Sequence, residues 1–376
     1  MPRVERRLAY TIPLTLVHEG EQAMRICNAC RYCEGFCAVF PALERRRTFT
    51  EQDLVYLANL CHNCGECYYA CQYAPPHEFG LNIPATLAAI RQASFRKHAW
   101  PGAFAGLFDR NRATLLLASI VAPAVFLGGL GWFAGATAFL SPYADAEGAF
   151  YGVMPHTVMV AAFGVIGLMA SAPMVAGVFS FWRDIGEPPG ALLDGRALAR
   201  AMSDAMTLRY LDGAGGGCAY PADVPSQIRR RFHHATFYGF LLCFAATTVA
   251  AVYHNVLGWH APYAVSSVPV VLGSAGGAGL IVGPVGLLWL KMFRNKALTD
   301  PAERGMDVAF LVLLLLTSVS GFLLLLLRES AAMGVSLAVH LGLVAGLFFT
   351  MPYGKFVHGI YRSLALLRNA IEAERR

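Results

Sequence analysis

Charged residues are missing from five long stretches of the chain: 113–144, 148–182, 232–290, 308–327 and 330–354. A bilayer hydrocarbon core of about 30 Å takes about 20 apolar residues of helix, so four of these stretches fit one crossing each. The stretch 232–290 holds 59 residues, enough for two crossings around the breaker-rich HNVLGWHAPYAVSSVP. The pattern therefore predicts six spanning helices near 113–140, 154–182, 232–258, 267–290, 308–327 and 333–357. The fourth contains GSAGGAGL, whose small residues suit close helix approach in lipid. Before the first span the pattern changes. Thr50, acids in the turn after it, then Leu54, Leu57 and Leu60 at helical spacing predict a capped helix. ATLAAIRQASF after Pro84 predicts another.

Composition agrees with the pattern. Hydrophobic residues make up 56% of the 376 positions and charged residues 14%, well below the quarter or so usual in soluble domains. Of the 30 Lys and Arg, 13 precede the first span, seven lie in 183–231, four in 291–305 and five in 355–376. Only Arg328 falls in a loop on the opposite side. Basic loops stay cytoplasmic, so both termini are expected there, in a multi-pass protein of the bacterial inner (plasma) membrane. The net charge of +6 thus follows topology, and no basic stripe interleaved with aromatics marks a nucleic-acid surface. The start MPRVERRLAYTIPLTL has no apolar run long enough for a signal segment. Residues 1–112 are therefore expected to stay on the side of synthesis. Trp132, Trp182, Trp259 and Trp289 fall toward span ends, as an interfacial belt does.

Candidate chemistry starts with the cysteines. Eight of ten occur in one pattern used twice, Cys27, Cys30, Cys33, Cys37 with Pro41, then Cys61, Cys64, Cys67, Cys71 with Pro75. Disulfides do not persist in a reducing compartment. Structural zinc takes four ligands, usually as two separated Cys-x2-Cys pairs. Three cysteines at x2 spacing with a fourth at x3 are the pattern of a [4Fe–4S] cluster, and in two-cluster ferredoxins the fourth cysteine of each run serves the other cluster. The expectation is one cluster on Cys27, Cys30, Cys33 and Cys71 and a second on Cys61, Cys64, Cys67 and Cys37. Each proline stands three residues further on than in the ferredoxin run. With the helices predicted on either side, that favours an α-helical ferredoxin. His62 and His77 read as local hydrogen-bonding or surface residues, Cys243 as a small buried apolar residue, and Cys218 in DGAGGGCAYP as part of a flexible loop able to touch a partner.

Six histidines, His156, His233, His234, His254, His340 and His358, fall within spans or at their ends, where ionisable residues are costly and point to function. His340 and His358 are 18 residues apart, five whole turns and about 27 Å of rise, so one continuous sixth span presents both on one face. His233 and His254 stand about 31 Å apart on the third span within about 60° of one face. The third span runs outward and the sixth inward, so His254 comes level with His340, and His233 or His234 with His358. Two levels of paired imidazoles make two bis-histidine haem b sites. His156 can replace His254 as the outer ligand. His233 has the better helical phase and His234 the deeper position, and both stay open. His260 reads as a loop residue. His98, in FRKHAWPGAFAGLF, reads as a residue at the membrane surface, with a quinone-site role as the lesser alternative.

The double cysteine run, PPHEFGLNIPATLAAIR after it, RRRFHHATFYGFLLCFAATTVAAVYH at 229–254 and MPYGKFVHGIYR at 351–362 together resemble tricarballylate utilisation protein B, the CitB-type family. The resemblance covers nearly the whole chain. The same module is similar to the C-terminal half of flavoprotein-fused cobalamin-pathway proteins (precorrin-3B synthase type). The membrane half is more distantly similar to the di-haem gamma subunit of nitrate reductase. The resemblance implies a redox partner, a separate FAD-dependent dehydrogenase that oxidises tricarballylate and is reoxidised by the membrane protein. The chain itself shows no strand-flanked dinucleotide fingerprint and no acid–base or nucleophilic constellation.

The expectation is an all-α protein with an N-terminal α-helical ferredoxin-like domain at 1–100 and a six-span haem b domain at 101–376. As an oxidoreductase subunit, it would carry electrons from the partner's FADH2 through two [4Fe–4S] clusters and haem b to the quinone pool. The alternatives are a quinol-oxidising subunit feeding a cytoplasmic reductase, a module of a cobalamin pathway, and a redox sensor or anchor without turnover.

Overall fold

The computed structural model describes residues 10–142, 148–213, 215–219 and 224–375. An N-terminal module opens with α1 (Leu14–Cys30), α2 (Val39–Glu44), α3 (Glu51–Leu60), α4 (Glu66–Tyr69) and α5 (Ile83–Lys97). The predicted cap of α3 is present in full. The Thr50 side chain accepts from the Asp53 amide, and the Asp53 carboxylate accepts from the Thr50 amide. Leu54, Leu57 and Leu60 are buried as their spacing requires. Asn82 caps α5 in the same way, with Pro84 in its first turn where a missing amide costs nothing. Helix α5 is buried on nearly every face because it lies between α1 and α3 on one side and the membrane half on the other.

Six helices are long and apolar enough to cross a membrane. They are α6 (Asn111–Ala134), α9 (His156–Asp184), α11 (Ile228–Asn255), α12 (Val268–Phe293), α13 (Pro301–Leu327) and α14 (Met333–Thr350); the short α7 (Ala136–Phe139) and α8 (Ala149–Val153) lie between the first two. Their outer faces expose Leu117, Ile120, Leu168, Phe244 and Leu326. A contiguous apolar belt of this extent is foreign to a water-facing monomer and natural to one in lipid.

Without a hydrophobic drive between helices in lipid, small residues must let backbones meet. Helices α11 and α12 do this. A Cβ on Gly276 would stand 2.8 Å from the amide nitrogen and Sγ of Cys243, and one on Gly283 would meet Thr236 and the Phe232 carbonyl at 2.3–2.8 Å. Gly342 of α14 approaches Pro123 of α6 as closely. Ser318 of α13 adds a hydroxyl bond to the Gly277 carbonyl, 2.8 Å.

The sixth span ends earlier than its hydrophobicity predicts. Met351–Tyr353 forms one 3-10 turn, and Gly354 is extended before α15 (Val357–Glu374) begins. His340 and His358 therefore lie on different helices, and the five-turn register between them does not exist. Pro352 is the local reason, since it removes an amide that a continued helix would need. Helix α15 leaves the bundle and packs against α3, α9 and α10 (Gly195–Met206).

That return path makes the module part of a larger body. One continuous core runs from Ile12 to Phe108 and includes Phe181, Trp182, Ala197, Ala201 and residues of α15 from Val357 to Ile371. Arg46 ties the two parts with bonds to Glu372 (2.5 Å) and Asp53 (2.7 Å), and Arg368 bonds Glu372 at 2.9 Å. Both guanidinium carbons sit over the Tyr56 ring, at 4.8 and 4.3 Å. Arg229, Arg294, Lys355 and Arg362, from all three later basic segments, lie at the module end of the bundle, whereas Arg328 bonds the Tyr263 carbonyl at the far end.

The close α11–α12 contact has a direct consequence. Gly276→Val should lower the thermal unfolding midpoint in detergent, by a loss of about 1–3 kcal/mol typical of overpacking. Gly128→Ala, where a Cβ meets nothing within 4 Å, should leave it unchanged.

Candidate functional site

Cys27 and Cys30 occupy the last turn of α1, which ends when Arg31 turns left-handed at φ 56°. The second run leaves α3 at Cys61 and winds through Asn63 (φ 52°) and Gly65 (φ 94°) before Cys67 enters α4. Two left-handed residues in three curl this loop around its own interior, with the Asn63 amide bonded to Cys61 Sγ at 3.3 Å. Cys61 and Cys64 are buried and the other six are half-buried.

The thiols fall into two neighbouring sets. Burial, then Cys71, Cys33 and Cys30, pushes Cys27 up to about 12. Burial with Cys71, Cys30 and Cys64 does the same to Cys33. Cys37 is raised well above its usual value by burial and by Cys64 and Cys61. Cys67 is raised by burial, then by Cys64, Cys61, Cys37 and Cys33. Cys71 thus neighbours the first run and Cys37 the second, while Cys33 also neighbours Cys64 and Cys67. Cys27, Cys30, Cys33, Cys67 and Cys71 line a cavity of 280 Å3. Among the described residues no three His, Cys, Asp or Glu side chains close on one metal ion. Thiols spaced around a cavity suit a multi-atom cluster, whose ligands sit at separate corners.

Cys218 departs from its sequence reading. It is buried in a two-residue strand, β1 (Cys218–Ala219), paired with β2 (Pro225–Ser226). It hydrogen-bonds Cys64, a contact that brings its own thiol down to about 7. Gly213, Gly215 and Gly217, all at positive φ, shape the turn leading to it. A Cβ on Gly217 would stand 2.3 Å from Ser226 backbone atoms. The glycine run was the visible signal for a tight, ordered turn, and it reads equally well as flexibility.

The second feature is a cavity of 580 Å3 where α11, α12, α13 and α15 meet the module, within the range of roughly 300–1,000 Å3 that ligand pockets occupy. Phe237, Phe240, Phe310 and Leu314 form apolar walls; Arg229, Arg294, Lys291 and Lys355 stand toward the module. His233 and His358 face each other across it with ring centroids 6.3 Å apart and planes at 73°. An imidazole nitrogen lies about 2.0–2.1 Å from a bound transition metal and about 1.1 Å from its ring centre, so two rings on opposite sides of one ion have centroids about 6.3 Å apart. The spacing fits. Nδ1 of His358 bonds the Lys355 carbonyl at 2.5 Å, which fixes the ring and leaves Nε2 for a ligand. Nδ1 of His233 is buried without a hydrogen-bond partner. His234 does not line the cavity and instead packs on Tyr238 at 5.7 Å. Of the two histidines left open by the sequence, His233 is the one that lines the cavity.

His62 lines the same cavity, which its sequence context did not foretell. Burial, then Arg362 and Arg229, holds its ring well below the usual histidine range, so it is neutral. His77 is at the surface with Tyr73 and Phe79, as expected. His98 is buried, with Nδ1 3.0 Å from Ser180 Oγ and Nε2 3.2 Å from Asp184, and so pins α9 to the module.

The outer pair is arranged differently from the expectation. His254 stacks on His156 at 3.5 Å, with His260 at 4.8 Å and Tyr151 at 5.1 Å. Rings this close leave no room for a metal between them. His340 faces α13 instead, with Nδ1 3.0 Å from Ser320 Oγ. The cause is register: His340 lies seven residues into α14, about 10 Å below its start, whereas His254 is the penultimate residue of α11.

Comparison with known proteins adds three findings. A profile described as "Citrate utilization protein B" matches residues 106–376, and one described as "Citrate utilization protein B Fer4-like domain" matches residues 20–97. The chain is 49% identical over 361 residues to "Citrate utilization protein B" of Escherichia coli, covering 95% of this chain and 93% of that protein. No solved structure matches.

The crossed cysteine sets predict that Cys71→Ser and Cys27→Ser remove the same centre. Each should lose about half of the protein-bound iron and the same electron paramagnetic resonance signal. Cys37→Ser should remove the other.

Proposed function

The chain belongs to the citrate utilization protein B family, and from that membership we propose a membrane-bound electron-transfer role, with iron–sulfur clusters in the module and one b-type haem in the cavity beneath it. The observation that carries the reading is the His233–His358 pair, at the spacing of two axial imidazoles, beside the loop that bears the buried cysteines.

When bound, iron–sulfur clusters and haem supply one-electron steps. The chain's own residues do the rest. Eight cysteines give two sets of four thiolates. His358, fixed through Nδ1, presents one imidazole, and His233 presents the other from α11. Phenylalanine walls exclude water from the cavity, and its cationic end suits the carboxylates of a b-type haem. His156, His254 and His340 do not form a second site of this kind as they stand, so one haem is proposed.

A flavoprotein dehydrogenase docking on the module would deliver electrons singly from its two-electron reduced flavin. Quinone in the membrane would accept them. The partner's substrate would be a tricarboxylate such as tricarballylate, in line with the resemblance and with the name of the E. coli relative.

Purified anaerobically, the protein should show a low-spin haem b spectrum together with two [4Fe–4S] signals after reduction. His358→Ala and His233→Ala should each abolish the haem absorption while iron and acid-labile sulfide of the clusters stay unchanged. Full haem content in both variants would overturn the site.

A further inference from the structure

The loop that carries Cys61 and Cys64 is held by four arginines from four different segments. Arg91 of α5 donates to the carbonyls of Ala58 (3.0 Å) and Cys61 (2.8 Å). Arg362 of α15 donates to the carbonyls of Cys61 (2.6 Å) and Asn59 (3.3 Å) and contacts Nδ1 of His62 at 3.1 Å. Arg229 of α11 donates to the carbonyls of His62 (3.0 Å) and Asn63 (2.9 Å). Arg294, just after α12, donates to the Asn63 carbonyl at 2.8 Å. Five of the six carbonyls from Ala58 to Asn63 accept from a guanidinium. The first cysteine run has no such enclosure: Arg31, bonded to the Asn28 carbonyl at 3.0 Å, is itself exposed.

A cluster's potential depends on net charge, hydrogen bonding and solvent exposure around it. Burial alone would make the inner centre harder to reduce, because an added electron is poorly solvated. Four fixed cations one peptide away oppose that, and little water is present to screen them. Glu303 cancels part of the field by pairing Arg91 at 2.8 Å, but among the described residues Arg362 makes no ion pair.

We propose that the four arginines hold the more buried cluster, on Cys37, Cys61, Cys64 and Cys67, at a higher reduction potential than the less buried, outer cluster on Cys27, Cys30, Cys33 and Cys71 (below, the buried and the exposed centre). This rests on the two-cluster reading above. An electron entering from a reduced flavin at the exposed face then moves inward downhill. The exposed centre is oxidised by one electron, the buried centre is reduced by one, and no proton or bond changes. The buried centre stands beside His62 and the His233–His358 cavity, so the gradient points toward the membrane. The arginines are positioning residues and touch no substrate.

A redox titration followed by electron paramagnetic resonance tests this. Signals are assigned to the two centres by the cysteine variants. The buried centre should titrate at the higher potential. Arg362→Gln should make that centre at least tenfold less reduced at a given potential, a shift of 59 mV or more for one electron. The exposed centre should not move. Arg362→Lys, which keeps the charge and loses the forked bonding, should retain most of the potential. Should Arg362→Gln lose the cluster, Glu303→Gln carries the test with opposite sign, raising the potential of the buried centre. The inference is overturned if both clusters are present and the buried one is the lower, or if its midpoint is unmoved in the charge variants. Absence of both cluster signals from the unaltered protein would instead sink the two-cluster reading itself.

Discussion

The carbonyl of Cys61 accepts from two guanidiniums, Arg91 at 2.8 Å and Arg362 at 2.6 Å, and this shared acceptor sets the register between the cysteine module and the membrane bundle. Arg91 also chelates Glu303 at the foot of α13, and Arg362 lies on the helix that carries His358. One peptide group thus fixes the buried cysteine loop, the first turn of α13 and the start of α15 relative to one another. Charged bonds of this kind are short and directional. Removing one partner of a buried charge costs more than the bond is worth, because the other is left unsolvated. The junction therefore tolerates little sliding, and electron carriers need fixed separations.

The same constraint explains why the chain breaks its sixth span. A straight helix through Pro352 would carry His358 and Arg362 away from the module. The 3-10 turn at Met351–Tyr353 and the extended Gly354 redirect the chain, so that α15 crosses beneath the bundle and joins the module's core. The Asn111 side chain braces the bend with a 2.7 Å bond to the Tyr353 carbonyl. Lys355, inside the bend, reaches Glu303 at 2.8 Å and Asp307 at 2.6 Å. One short irregular segment thus places Lys355 beside Glu303 and Asp307 and sets the start of the helix that carries His358.

Features set by local chemistry were open to sequence reasoning. Six spans follow from charge-free length, and the α3 cap from Thr50 and Asp53. Features set by tertiary contact were hidden. Helical arithmetic assumes an unbroken helix, so it fails for His340 and His358 once Pro352 ends α14, yet it still brings His358 to His233 because α15 starts at the same depth. His62 and Cys218 drew local readings because their partners, Arg362 and Cys64, lie 300 and 154 residues away. No window along the chain holds both members of either pair.

The two ends of the bundle make different use of histidine. At the module end, the His233 and His358 ring centroids stand 6.3 Å apart, and the Lys355 carbonyl fixes the His358 ring. At the far end, His156 and His254 stack with nothing between them, and Tyr151 and His260 close the group. Separation distinguishes the two pairs, and separation is set by the helices beneath them. The α15 return holds His358 off α11. At the far end Tyr151 of α8 and His156 at the start of α9 both pack on His254 near the end of α11.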